Sequence, residues 1–169
     1  MSEAVELPSG AARFRDGARK LGLDPQIFVF PKSTRTAAEA AAAIGCEVAQ
    51  IAKSLIFRSR ARGTPVLVVA SGANRVDEGA VARALAEPLA GEDIERADPD
   101  FVRDVTGYAI GGVPPIGHAV RPLVAIDRDL LSHDVIWAAA GAPNAVFRTS
   151  PGELVELTGG VVAAVAQGG

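Results

Sequence analysis

The chain has 169 residues, 49% of them apolar and 5% aromatic, and a formal charge of −3. That length holds one domain, residues 1–169, with enough apolar material for a buried core carried mainly by alanine and valine. The acidic balance excludes a general nucleic-acid binder, no apolar run is long enough to span a bilayer, and a single cysteine excludes an internal disulfide.

Met1–Pro8 has two glutamates and no apolar stretch, so it does not read as a signal peptide. Ser9–Leu21 predicts a helix: Phe14, Ala18 and Leu21 recur at helical spacing, with Arg13, Arg15, Arg19 and Lys20 placed elsewhere around it. Gln26–Phe30 predicts a strand ended by Pro31. Thr36–Ile44 is a helix, opened by the Thr36/Glu39 capping box and stopped by Gly45. Its alanines let it lie close on a sheet. Cys46 follows, with no basic neighbour to activate its thiol, and reads as a small packed residue. A lone cysteine fits a reducing compartment.

Ile51–Arg58 predicts a strand. Strict alternation puts Ile51, Lys53, Leu55 and Phe57 on one face, so Lys53 is expected among large apolar side chains, with a lowered pKa. A lysine that buries its stem and sends its amine to water is equally open. Arg58, Arg60 and Arg62 follow, and read as a solvated face or a local patch. Pro65–Ala70 is an almost wholly apolar strand, as in a sheet covered on both faces. Asp77 caps a helix to about Ala86, and Asp98-Pro99 opens another that Gly107 closes. Leu123–Asp127, Val135–Ala140, Val146–Arg148 and Val161–Ala166 are strands. Ser150-Pro151-Gly152-Glu153 opens a helix to about Leu157, and the glycine-ended tail is expected to fray.

Between these elements lies Gly107-Tyr108-Ala109-Ile110-Gly111-Gly112-Val113-Pro114-Pro115-Ile116-Gly117-His118, with four glycines and two prolines in twelve residues. Glycine permits close approach and proline fixes φ and removes a donor. One reading is a stiff loop whose N–H groups, at Gly111, Gly112, Val113, Ile116, Gly117 and His118, hold an oxyanion or a phosphate. The other is a rigid turn between strands.

Taken with Gln50-Ile51-Ala52-Lys53-Ser54-Leu55-Ile56-Phe57 and Trp137-Ala138-Ala139-Ala140-Gly141, this loop resembles the YbaK/ProX family, free-standing relatives of the editing domain inserted in bacterial prolyl-tRNA synthetases. The family pattern is a lysine on a buried strand, here Lys53, and later a G-x-x-x-P loop, here Gly111-Gly112-Val113-Pro114-Pro115. The resemblance runs from about Gln26 to Val162. It implies an α+β (mixed α/β) fold, with a curved, largely antiparallel sheet closing towards a barrel and short helices outside. It implies a cytoplasmic aminoacyl-tRNA deacylase acting in trans on a mischarged tRNA such as tRNA(Pro), with an aminoacyl-tRNA synthetase as a possible associate. Lys53 is then the catalytic residue. Ser54, Gly111, Gly112, Val113, Pro114, Pro115, Gly117, His118 and Gly141 are the substrate-binding set. No cofactor is implied. Some alanine-specific members carry asparagine after the lysine and a histidine-bearing segment late in the chain; here Ser54 and Gly141-Ala142-Pro143-Asn144 stand there, which leaves the amino acid open.

The residues themselves suit that chemistry. A lysine ammonium in a low-dielectric pocket stabilises an oxyanion. A rim stiffened by Pro114 and Pro115 selects by size, for the alanine, serine, cysteine or threonine class. No Gly-x-Ser-x-Gly elbow occurs, and two histidines without a cysteine or carboxylate cluster make no metal site. His133 reads as an exposed turn residue, His118 as a ligand contact or a turn closure, and Asp127 as a cap or an orienter of Lys53, with capping preferred. Two other classes fit the same residues: a non-catalytic module that binds tRNA ends or aminoacyl groups beside a synthetase, and a small-ligand barrel using Lys53 as an anion anchor.

Overall fold

In the computed structural model, which describes residues 6–168, helix α1 (Ser9–Lys20) turns Ala11, Phe14 and Ala18 inward; Phe14 and Ala18 were expected there, but Leu21, just past the helix end, is exposed. The reading of Met1–Pro8 falls mostly outside the described residues. Strand β1 (Ile27–Val29) is followed by α2 (Ala37–Ile44). Thr36 Oγ1 accepts the Glu39 N–H at 3.1 Å, and Gly45 takes the left-handed conformation that ends the helix. A 3₁₀ turn at Val48–Gln50 leads into β2 (Ile51–Ser59), which turns back as β3 (Pro65–Ser71). Helix α3 (Glu78–Ala84) is capped by Asp77, and α4 (Pro99–Thr106) by Asp98, with β4 (Ile94–Arg96) between them. Strand β5 (Leu123–Asp127) runs into a 3₁₀ turn at Arg128–Ser132. Then come β6 (Ile136–Ala139), β7 (Ala145–Thr149), α5 (Pro151–Thr158), capped by Ser150, and β8 (Val161–Ala163).

The fold is mixed α/β with helices outside one sheet, as expected. Among the described residues the eight strands run β1-β7-β6-β2-β3-β5-β8, with β4 joined to β2. Two details differ from the expectation. The pairings β2–β6, β3–β5 and β5–β8 are parallel, and the path ends at β1 and β8 without closing into a barrel. Strand β4 was not legible: three residues within Glu92–Ala97 are too few for an alternation signal. The chain is held as far as Gln167, before the last two glycines. Ala166 bridges Val76, and the Gln167 N–H donates to Arg75 O at 2.8 Å.

Apolar burial on both sheet faces holds the molecule together. One core joins Phe14, Leu67, Ile126, Ile136, Phe147 and Leu154; a second joins Val66, Val68, Val81, Leu85 and Leu89 under α3. Strand β3 supplies alternate residues to each, which is why its sequence reads as continuously apolar.

Candidate active site

Strand β2 is the element around which the site is built. One edge pairs with β3 from Ala52 to Arg58. The other meets β6 only at Ile51 and Ala52, and β4 only from Phe57 to Ser59. Among the described residues no strand covers that edge at positions 53–56. Backbone alternation shows what the gap receives. The Gly72 N–H donates to Ile51 O at 2.7 Å and the Ser59 N–H to Thr64 O at 3.0 Å, so odd-numbered residues of β2 bond towards β3. Ser54 and Ile56 therefore turn their peptide groups to the open edge, where Ile56 O accepts the Ala97 N–H at 3.4 Å.

A cavity of about 370 Å³ lies at this gap. Lys53, Ser54, Gly111, Val113, Trp137 and Pro143 line it, along with small residues of α2 and the aliphatic side chains of β2. Its cations are Lys53, Arg35 and Arg96; among the described residues no carboxylate and no histidine lines it. Ser54 Oγ is buried there without a hydrogen-bond partner among the described residues. A buried hydroxyl left in that state costs roughly 1–3 kcal/mol, so it stands out as a group suited to a ligand.

Lys53 is half-buried, on the face of Ile51, Leu55 and Phe57. Its Nζ donates to Asn74 O at 2.6 Å, so the amine is anchored on the loop after β3 rather than on the glycine loop. Burial pulls the Lys53 pKa below the ordinary lysine value; the charge of Asp127 opposes this and that of Arg75 adds to it. Asp127, 1% exposed, holds the anchor in place. Its Oδ1 accepts the Asp129 N–H at 3.0 Å, which is the expected cap. Its Oδ2 accepts the Ser71 N–H at 3.0 Å and Asn74 Nδ2 at 2.9 Å, and Asn74 Nδ2 also reaches Asp129. Capping and orientation, which the sequence presents as alternatives, are thus performed by the two oxygens of one carboxylate.

The structure divides the remaining predicted residues. Gly111, in the left-handed region at φ 94°, and Val113 share the cavity with Lys53. Gly112 lies against Ala142: a Cβ added there would sit 2.9 Å from Ala142 Cα. Its N–H, expected to hold an anion, donates to Ala109 O at 3.0 Å. Pro114 is buried and Pro115, Gly117 and His118 line a second cavity of about 270 Å³ with Leu21, Arg121 and Leu157. His118 Nε2 lies 2.6 Å from Pro114 O; a carbonyl only accepts, so the nitrogen carries the proton and His118 closes the turn. Burial pulls its pKa below the usual histidine value, and the Pro114 bond opposes that. Gly141 also packs structurally: a Cβ there would lie 2.3 Å from Gly10 O. Asn144 donates to Phe30 O at 3.1 Å, leaving Pro143 as the cavity residue of that segment. His133 is half-buried rather than exposed, at the end of the 3₁₀ turn. Burial raises the Cys46 thiol pKa, in keeping with a packed residue.

The basic clusters of the sequence have local uses. Arg13 lies over the Tyr108 ring at 4.7 Å and Arg58 over Phe101 at 5.3 Å. Arg15, Arg19 and Arg62 pair with Asp16, Asp24 and Glu92. Arg35 and Arg96, isolated in sequence and unremarked there, are the arginines that reach the cavity.

Residues 31–157 match the profile of the aminoacyl-tRNA editing domain. The chain belongs to that family. A curated relative, the uncharacterized protein YwhH of Bacillus subtilis (strain 168), is 33% identical over 129 residues, 76% of this chain and 78% of YwhH. The crystal structure of a proposed trans-editing enzyme for prolyl tRNA synthetase is 43% identical with a TM-score of 0.88, covering 96% of this chain and all of that one. That of the hypothetical protein APE2540 is 35% identical with a TM-score of 0.80, covering 92% and 99%. This editing-domain protein is therefore an aminoacyl-tRNA deacylase at the level of its family. Among its described residues no helix is long and apolar enough to cross a membrane.

Proposed function

We propose that this protein hydrolyses, in trans, the ester between a small mischarged amino acid and the terminal ribose of tRNA. The observation that carries the proposal is the cavity at the open edge of β2, with its one half-buried ammonium and no acidic lining residue. Water adds to the ester carbonyl, and the Lys53 ammonium stabilises the oxyanion that forms. Collapse of the tetrahedral intermediate breaks the bond to the ribose oxygen, which leaves with a proton, and the free amino acid departs. Since no lining residue is a carboxylate or histidine, the neighbouring ribose hydroxyl orients the water and the protein supplies position and charge.

Gly111 and Val113 bound the end of the cavity that takes the amino-acid side chain. Pro114 and Pro115 keep that wall from yielding, so size decides what enters. Ser54 Oγ offers one hydrogen bond inside it. The test is deacylation of tRNA(Pro) carrying alanine, serine, cysteine, threonine, proline or phenylalanine. Cleavage of one or more of the small group, with proline and phenylalanine spared, is the expected result. Equal cleavage of all six removes the size argument. Protection of every ester without cleavage identifies a binding module instead.

A further inference from the structure

The cavity, about 370 Å³, has room for more than a small aminoacyl group. Trp137 stands there. It is the sole tryptophan of the chain, half-buried, and lines the cavity. It pairs in register with Ile51 on the parallel neighbour β2, so the two side chains share a face. Lys53 is two residues further along that face, about 7 Å on an extended strand. Phe28, 37% exposed, meets the indole edge-on, with ring centroids 5.4 Å apart and planes at 65°. Ala37, Ala40 and Ala139 line the same cavity, and Ala37 and Ala40 share with the indole one apolar cluster around Ile51.

Arg35 lines the cavity as well. Its loop is fixed on both sides. The Thr34 N–H donates to Pro143 O at 3.2 Å, and Thr36 caps α2. The nearby acid, Glu39, accepts the Arg35 backbone N–H at 3.4 Å. Among the described residues the Arg35 guanidinium has no acidic partner. An aromatic ring lining a cavity and a guanidinium without an acidic partner on a fixed loop are the parts that hold a nucleotide: the ring stacks the base and the cation meets the phosphate.

We propose that Trp137, braced by Phe28, and Arg35 form the subsite for the 3′-terminal adenosine of tRNA. This rests on the deacylase reading, since it places the ester at Lys53 and the adenine across the terminal ribose from it. The adenine stacks on the indole, and Arg35 pairs with the phosphate that joins this nucleotide to the rest of the tRNA.

The sole tryptophan makes the test direct. The trinucleotide CCA should quench Trp137 fluorescence in the wild-type protein and saturate; inorganic phosphate and a free amino acid should not. In deacylation assays Trp137→Ala should raise KM for aminoacyl-tRNA by roughly ten- to a hundredfold, the scale of losing one stacked base, with most of the change in KM. Trp137→Phe should restore much of it. Arg35→Ala should raise KM and lower the salt dependence by about one phosphate contact. If wild type deacylates but CCA does not quench and both alanine variants keep their KM, the subsite is wrong and the deacylase reading stands. If CCA quenches but no ester is cleaved, the subsite stands and catalysis falls. Arg35→Ala and the wild-type titration keep the test decisive should Trp137→Ala fail to fold.

Discussion

Two cavities lie on either side of the Gly111–His118 loop, and they differ in what their polar groups are doing. In the cavity at β2, Lys53 holds a charge that burial disfavours, and among the described residues Ser54 Oγ has no hydrogen-bond partner and Arg35 and Arg96 have no acidic one. In the cavity behind the loop, His118 already bonds Pro114 O and sits among Pro115, Ile116 and Pro122. The first is arranged for a ligand that completes it. The second belongs to the support that keeps the loop stiff. One glycine-proline segment thus serves as a wall of the first cavity because its reverse side is satisfied internally.

The strongest way to break this contrast is at Lys53. Lys53→Ala should lower deacylation about a hundredfold or more while the protein stays folded, the scale of losing one preorganised oxyanion partner. An unchanged rate in a folded variant takes Lys53 out of the reaction.

The loop glycines come next. Gly112→Ala forces a methyl group to within 2.9 Å of Ala142 backbone, which cannot yield as a flexible side chain would. It should cost about 1–3 kcal/mol of stability and shift the wall. Gly111→Ala meets only Pro143 Cγ at 4.0 Å but retains the strain of φ 94°, of order 1 kcal/mol. Thermal unfolding and kcat/KM should rank Gly112→Ala as the more damaging; the reverse order would mean that strain at Gly111, not contact at Gly112, sets the wall.

On the far side, His118→Ala removes the bond to Pro114 O. It should cost about 1 kcal/mol and relax the size limit, so that larger aminoacyl esters gain relative to alanine. Unaltered selectivity would show that the prolines alone keep the loop rigid. Because the folded state lowers the His118 pKa, the unfolded chain binds more protons just below pH 6.5, and stability falls as pH drops through that window. The His118→Ala variant should lose that component of the acid limb.

The smallest effect is the alkaline limb of activity. Lys53 must be charged to stabilise an oxyanion, and its pKa lies below the ordinary lysine value. Activity should therefore decline, as pH rises, earlier than an exposed lysine would dictate. Asp127→Asn weakens the opposing carboxylate charge and should move that decline to still lower pH. A limb that does not move separates Asp127 from the Lys53 charge.

Much of the fold was legible because its signals are local. Thr36, Asp77, Asp98 and Ser150 announce helix starts through hydroxyl and carboxylate oxygens that reach backbone N–H groups three residues on. Gly45, Gly107 and Gly159 mark helix ends by a conformation other residues resist. Alternation in β2 assigned Lys53 to the face of Ile51 and Leu55.

The sequence by itself determined the elements, the face of Lys53 and the stiffness of the glycine-proline loop, because each follows from residues within a few positions of one another. Only the tertiary structure decided the site. The uncovered edge of β2 depends on where β4 and β6 stop. The anchor of Lys53 on Asn74 depends on Asp127, 53 residues further along the chain from Asn74. Trp137 and Arg35 become neighbours of one cavity through sheet pairing and the packing of α2. Contacts across such separations leave no periodic trace, since the physics that selects them is the shared burial of distant surfaces.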